Sequence, residues 1–208
     1  MTATPTPTSA PKRETSTKWA SKDAAKTAAV TGGLLYRDSF TSDATGTVPA
    51  GWSVTGANAG FSVAASDSSY GNVYAHDGWT STTSAGSTAW TNYTLSVAVQ
   101  PSAWQSEQDC IDVRYVDAAD HDAVCFEGGG SIVLLRVAGG SSVDLARVSL
   151  AYTSSWYQLS IAAFGSTFTV QLDGQTLMTV SDSAFCHGAI GFDANAPVEF
   201  GNVTVTAS

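Results

Sequence analysis

The chain has 208 residues and a formal net charge of -9, and 43% of its residues are hydrophobic while only 13% are charged. This charged share is about half of that in an average soluble domain, so the composition excludes a charged disordered polymer and a coiled coil. No apolar run of about 18 residues occurs, which excludes a membrane-spanning helix on sequence grounds.

The charges are distributed unevenly along the chain. All four lysines lie in the first 26 residues, and residues 1–32 carry five basic and two acidic side chains, a net +3. Residues 33–208 therefore carry -12. Because a body with this charge repels phosphate, we do not expect direct binding to nucleic acid. We divide the chain into a basic arm, residues 1–32, and one acidic domain, residues 33–208, whose length suits a single hydrophobic core.

The arm opens with a Thr/Pro-rich stretch, residues 2–11, that favours extended chain. Thr17 can cap a short helix over residues 17–31, which ends at Gly32 and Gly33. A short helix with an alanine face needs a partner, so we expect the arm to dock on a larger assembly such as a capsid or appendage. The alternative is a solubilising leader or a cloning remnant. The proposed docking residues are Lys12, Arg13, Lys18, Trp19, Lys22 and Lys26.

From Leu34 onwards, apolar and polar residues alternate in short runs separated by turn residues, a pattern typical of β-strands. The pair Asp173–Gly174 predicts a two-residue type I′ hairpin, and residues 139–142 predict another turn. About a dozen short strands predict an all-β, two-sheet antiparallel sandwich. The predicted strands span residues 34–40, 61–65, 72–75, 93–100, 111–116, 123–127, 132–138, 143–150, 156–162, 167–172, 176–180, 189–192 and 199–206.

The order of several motifs carries a family resemblance. The chain resembles the concanavalin A-like (laminin-G-like) jelly rolls in five segments: TNYTLSV, DVRYVDAADHDAVCF, LLRVAGG, FTVQLDGQTLMTVSDSAF and the closing EFGNVTVT. The resemblance covers residues 34–208. It implies a jelly-roll fold of the type found in carbohydrate-binding modules, in appendages of glycoside hydrolases and in phage structural proteins. The fold by itself does not determine a function.

Catalysis is not expected from the sequence. Hydrolases of this fold carry a Glu-x-Asp-x-x-Glu strand, and the four glutamates here form no such motif. Asp109 and Asp112 are the nearest carboxylate pair, but their spacing places them on opposite faces of a strand. The histidines show no zinc-binding spacing, and no Gly-x-Ser-x-Gly motif or P-loop occurs. We therefore predict that the domain is not an enzyme.

Calcium is the one cofactor that the resemblance suggests. Members of the family commonly close with Phe-Asp-Asn-Val, whose aspartate can bind the ion, but this chain has Phe200-Gly201-Asn202-Val203. Without that carboxylate, Asp38 and Asn202 are the remaining candidate ligands for Ca²⁺.

Glycan recognition needs exposed aromatic rings and polar groups around them. Trp52, Trp90 and Trp156 stand at family positions beside strand ends, so we assign them to the core. Trp79 and Trp104 lie in polar loops and are the predicted platforms for a sugar ring. The predicted polar residues of this glycan site are His76, Asp77, Asp112, Arg114 and Tyr115.

The three cysteines, Cys110, Cys125 and Cys186, cannot all pair within one chain. A bridge between Cys110 and Cys125 across a hairpin is possible, and buried thiols are the favoured alternative.

These features lead to one functional prediction and two alternatives. We predict a non-catalytic jelly-roll protein held by its arm on a larger particle, as a phage or virion surface protein with glycan-binding capacity. The first 20 residues contain no apolar segment of the signal-peptide type. A secreted carbohydrate-binding module is the alternative, and an unusual glycoside hydrolase is a third interpretation.

Overall fold

The computed structural model describes residues 32–56, 60–66, 68–78, 80–103, 107–128 and 130–208. The predicted helix over residues 17–31 and the predicted docking residues Lys12, Arg13, Lys18, Trp19, Lys22 and Lys26 lie outside the described residues, as do Trp79 and Trp104. These predictions are therefore not tested by the structure.

Every regular element of the described residues is a β-strand. No helix in this part of the chain is long and apolar enough to cross a membrane. The strands, in chain order, are β1 Leu34–Asp38, β2 Trp52–Thr55, β3 Phe61–Ala65, β4 Asn72–Asp77, β5 Ser81–Ala85, β6 Tyr93–Gln100, β7 Gln108–Asp117, β8 Asp120–Glu127, β9 Ser131–Ala138, β10 Ser141–Ser149, β11 Tyr157–Phe164, β12 Thr167–Leu172, β13 Gln175–Ser181, β14 Ala189–Ala194 and β15 Pro197–Ala207.

The strands form two antiparallel sheets, which confirms the predicted two-sheet sandwich. Sheet A has the order β13-β12-β11-β6-β15-β4-β3, and β1 also pairs with β15. Sheet B has the order β10-β9-β8-β7-β14-β5-β2. Strands that are distant in sequence are therefore neighbours, and β15 at the end of the chain lies between β6 and β4.

The main core lies between the two sheets because alternate side chains of each strand point inwards. Leu95 and Val97 on β6 belong to it, whereas Ser96 between them is partly exposed. Phe192 of sheet B and Phe200 of sheet A stack with centroids 3.9 Å apart. Trp52 stacks on Phe192 at 5.0 Å, which confirms its predicted place in the core.

The predicted hairpins are confirmed by backbone angles. Asp173 and Gly174 both have positive φ, 49° and 79°, as a type I′ turn requires. Gly139 and Gly140, between β9 and β10, have φ of 56° and 76°. Both turns reverse the chain tightly at residues that tolerate the left-handed region.

Strand β5 was missed by the sequence analysis, which placed these residues in a polar loop. Its Ser81, Thr82 and Thr83 are buried, so no hydrophobic alternation marks the strand. Their hydroxyls are instead satisfied inside the fold. Ser81 bonds to the His76 ring at 3.0 Å, and Thr82 donates to Asp193 at 3.0 Å. Satisfied hydroxyls can replace apolar groups in a buried strand.

Cys110 on β7 faces Cys125 on β8 in the strand register, and the two form a disulfide. This corrects the favoured expectation of buried thiols, because the register brings the two side chains directly together. Cys186 is free and exposed. The bridge belongs to a small apolar cluster with Ala123, Val133 and Leu135. By strand alternation, this cluster lies on the face of sheet B opposite the main core.

Candidate functional site

The predicted glycan residues do not come together as one surface. His76 is buried, with its ring 4.6 Å from that of Phe61. Its Nδ1 bonds to the Ala196 carbonyl at 2.9 Å and its Nε2 to Ser81. His76 thus has a structural role between the sheets, although it also borders the cavity beside Gln100 and Pro197, and its predicted contact with a glycan stays a prediction. Asp77 is the next residue on β4 and is exposed.

Arg114 also has a structural position rather than a surface one. Its guanidinium donates to the carbonyls of Phe185 and Gly165 and lies 5.0 Å from the Phe168 ring centroid. Only 1% of the residue is exposed. A glycan hydroxyl does not reach a guanidinium that is enclosed in this way, so the structure argues against the predicted role of Arg114 in glycan binding.

Asp112 and Tyr115 are brought together, in a cluster with His121 and Asp193. Asp112 is fully buried, and its carboxylate lies 3.9 Å from His121 Nε2. The rings of Tyr115 and His121 lie 5.5 Å apart. Burial and the neighbouring Asp193 raise the pKa of Asp112 well above its usual range. Buried groups of this kind cannot contact a glycan without prior movement of the residues around them, so this cluster is a poor binding surface.

The two residues predicted for calcium occupy neighbouring positions on β1 and β15. Asp38 is paired in register with Val203, next to Asn202. The Asp38 carboxylate accepts hydrogen bonds from the Phe40 amide at 2.8 Å and from the Trp52 indole at 2.9 Å. No group of three His, Cys, Asp or Glu side chains suited to a metal ion occurs in the described ranges. The observed partners give Asp38 a structural role that needs no ion.

An aromatic pair that the sequence analysis did not select lies on the outer face of sheet A. The rings of Tyr70 and Trp156 are 4.6 Å apart and inclined at 46°. Both residues are partly exposed. The assignment of Trp156 to the core is therefore corrected, because it packs on Tyr70 outside the core cluster. Trp90, in contrast, packs against the edge of the core as predicted.

Small residues of sheet A make room for this pair. Ala98 on β6 pairs with Gly201 on β15, and both are buried. A Cβ atom at Gly201 would come within 3.2 Å of Tyr70 Cγ. The family's aspartate is thus replaced by a glycine at a position where the ring of Tyr70 approaches the backbone.

Hydroxyl groups fix the loop that carries Tyr70. The Ser66 hydroxyl donates to Glu199 Oε2 at 3.1 Å, and it bonds to the Ser68 hydroxyl at 2.9 Å. The Ser68 hydroxyl also accepts from the Tyr70 amide at 3.3 Å. Because the loop is bonded to a strand of sheet A, Tyr70 is positioned before any ligand arrives, which reduces the entropic cost of binding.

One cavity is lined by Trp156, and a second cavity shares two of its lining residues. The first, of about 400 Å³, is lined by Ala65, Ser66, Ser68, Gln100, Trp156 and Glu199. The second, of about 290 Å³, shares Gln100 and Glu199 and continues towards Ser154 and Pro197. We call these the Trp156 cavity and the Ser154 cavity. An aromatic wall with an amide, a carboxylate and hydroxyls is the chemistry that binds the C–H face and the hydroxyls of a sugar.

The sequence contains only a weak signal for this surface. Tyr70 and Trp156 are far apart in the chain, and the alternation of apolar and polar residues around them does not mark either one as part of a binding surface. Gly201 was the one available indication, since it departs from the family's closing motif. The close approach of Tyr70 to Gly201 arises only in the folded domain, where the loop before β4 lies over β15.

Comparisons with known proteins agree with the observed architecture. No family model matches the sequence. No curated protein matches it either. Among solved structures, the carbohydrate-binding module CBM66 from Bacillus subtilis is similar, with a TM-score of 0.62 and 18% identity over 76% of this chain and 96% of that chain.

Two further structures show the range of proteins with this architecture. Domain 4 of AbnA, a GH43 extracellular arabinanase from Geobacillus stearothermophilus solved with arabinotriose, has a TM-score of 0.59 and 16% identity over 85% of this chain and 93% of that chain. The Crh5 transglycosylase has a TM-score of 0.53 and 12% identity over 85% and 86%. At these identities the likeness shows the fold alone, and the chain has the concanavalin A-like jelly-roll fold.

Proposed function

We propose that the domain binds carbohydrate without turning it over, through the aromatic pair Tyr70–Trp156 and the polar groups beside it. The observation that carries the proposal is this partly exposed pair, whose Trp156 lines a cavity together with Gln100 and Glu199. The similarity in fold to CBM66 and to an arabinanase domain solved with arabinotriose supports the same class of ligand. A neutral polysaccharide suits the site better than an acidic one, since the body carries -12.

The absence of turnover is the second part of the proposal. Glycoside hydrolysis requires two carboxyl groups on either side of the scissile bond. Glu199 is the only carboxylate among the described residues that line the two cavities. Since one carboxylate cannot supply both an acid and a base or nucleophile, binding is the function that these residues support. Release of reducing sugar from a bound polysaccharide would contradict this part.

The binding experiment uses affinity electrophoresis or a glycan array with neutral polysaccharides, including arabinan, xylan and β-glucan, and with acidic pectin. Trp156→Ala and Tyr70→Ala should each weaken binding about tenfold or more, which corresponds to about 1.4 kcal/mol. Phe164→Ala is the matched control, because Phe164 is an exposed aromatic on the same sheet, away from the two cavities. Unchanged binding in both single variants, or binding to none of the polysaccharides, would refute the proposal.

We propose further that the domain works outside the reducing cytosol, displayed on a virion or another particle or secreted as a carbohydrate-binding module. The disulfide between Cys110 and Cys125 supports such a compartment, since structural disulfides persist under oxidising conditions. Display through the basic arm is supported by the charge division at residue 32. Deletion of residues 1–32 separates the two contexts. If the protein is displayed on a particle, the deletion should abolish its association with that particle. If the protein is a secreted module, the deletion should leave its polysaccharide binding unchanged.

A further inference from the structure

The two cavities are parts of one surface that share a pair of side chains. Gln100 on β6 and Glu199 on β15 are direct register partners, so their side chains stand side by side on the outer face of sheet A. Both residues line both cavities. The pair therefore forms a ridge with the Trp156 cavity on one side and the Ser154 cavity on the other.

The polar groups of the ridge are held in place from opposite sides. The Gln100 amide nitrogen donates to the Ser154 carbonyl at 3.0 Å, on the side of the Ser154 cavity. Ser66, on the side of the Trp156 cavity, donates to Glu199 Oε2. Glu199 Oε1 accepts no hydrogen bond from a described residue, so it can accept one from a ligand hydroxyl.

The two cavities differ in the groups that they offer. The Trp156 cavity has an aromatic wall and serine hydroxyls. Besides the ridge and Ser154, the Ser154 cavity has an apolar wall of Ala75, Pro101, Pro197 and Val198 and the polar residues His76 and Ser102. It has no Trp, Tyr or Phe among its described lining residues. A single sugar ring on Trp156 reaches the ridge from one side only. A chain that crosses the ridge also fills the Ser154 cavity and buries its apolar wall.

We infer that the site binds the interior of a neutral oligosaccharide chain, with one sugar unit in the Trp156 cavity, the next in the Ser154 cavity, and Gln100 and Glu199 between them. This inference rests on the proposed function and adds the form of the ligand. A terminal-sugar site would instead need one enclosed cavity. Here the surface continues past the ridge on both sides.

The test compares chain lengths and fills one cavity. Isothermal titration with gluco-, xylo-, galacto- and arabino-oligosaccharides of one to six units gives an affinity for each length. For the series that binds, the affinity should rise about tenfold or more between the monosaccharide and the trisaccharide, since the second cavity adds contacts. Ser154→Tyr fills the Ser154 cavity with a side chain and keeps the backbone carbonyl that Gln100 uses. It should remove this gain and leave the affinity for the monosaccharide within about twofold.

Ser142→Tyr is the matched control, because Ser142 is exposed on edge strand β10 of the other sheet. A monosaccharide bound as tightly as the hexasaccharide would overturn the inference, and so would a Ser154→Tyr variant that keeps the length dependence. Either result leaves the proposed function standing, provided that Trp156→Ala still weakens binding about tenfold or more. If no series binds at any length, the proposed function fails and the inference fails with it.

Discussion

Tyr70 lies over Gly201, and even a methyl group at position 201 would be crowded against it. An ideal Cβ at position 201 would be 3.2 Å from Tyr70 Cγ and 3.3 Å from its Cβ, closer than ordinary van der Waals contact. Tyr70 in turn packs on Trp156. The position of the aromatic pair therefore depends on the absence of a side chain on a neighbouring strand.

We expect Gly201→Ala to weaken binding of the polysaccharide by moving Tyr70 away from Trp156. The domain should stay folded, because the added methyl lies on the outer face of sheet A and displaces a partly exposed ring. The measurement is the affinity for the bound polysaccharide beside the melting temperature. Gly33→Ala is the control, since its Cβ meets nothing within 4 Å. Equal affinities in the two variants would show that the position of Tyr70 does not matter.

Much of the fold could be predicted from the sequence because most strands alternate apolar and polar residues, and β6 was placed with its observed ends. Strand β5 could not be predicted in this way, because its buried side chains are hydroxyls bonded within the fold. The candidate site was harder to predict. Tyr70 precedes β4 and Trp156 precedes β11, so only the strand order of sheet A, with β15 and β6 between them, brings the two rings together.

The disulfide should make a large contribution to stability. Cys110 and Cys125 are separated by 15 residues, and closing a loop of that size restricts the unfolded chain by about 3 kcal/mol. We expect reduction, or the double variant Cys110→Ala/Cys125→Ala, to lower the free energy of unfolding by about 2–4 kcal/mol in urea titrations. Cys186→Ala is the control, since that thiol is free and exposed. A double variant as stable as the control would contradict a structural role.

Buried carboxyl groups should make the domain more stable in mild acid. Burial raises the pKa of Asp109 and Asp122 to about 7, and it also raises that of Asp112. Since the unfolded chain has the ordinary pKa of about 3.9, the folded state binds more protons between about pH 4 and pH 7. The stability from these groups is therefore present at low pH and is lost as the pH rises towards 7. His121, whose pKa burial lowers, opposes this trend below about pH 6.5.

The measurement is the melting temperature between pH 5 and pH 8, which should be higher at pH 5 because three carboxyl groups outweigh one imidazole. Asp112→Asn should raise the melting temperature at pH 8, by about 2–4 °C for each kcal/mol gained, since a neutral amide avoids the burial of a charge. Asp77→Asn is the control at an exposed position. A melting temperature that rises steadily from pH 5 to pH 8 would contradict the predicted sign.

We expect Arg114 to stabilise the fold and to take no part in glycan binding. Its guanidinium satisfies the carbonyls of Phe185 and Gly165, and its backbone amide donates to the Tyr93 hydroxyl at 2.6 Å. Arg114→Met keeps most of the side-chain volume but leaves the two carbonyls without these donors. We expect a loss of about 3 kcal/mol in the free energy of unfolding.

Arg114→Lys should recover only part of this loss, because one ammonium cannot reproduce the fork of the guanidinium. Arg37→Met, at an exposed position of β1, is the control and should change the stability by less than about 0.5 kcal/mol. The decisive comparison is polysaccharide binding by Arg114→Lys at a temperature where it is folded. Binding should equal that of the unmodified chain, because the guanidinium faces carbonyls inside the fold and the aromatic pair lies on an outer face. A folded Lys variant that loses binding would instead restore Arg114 to the glycan site.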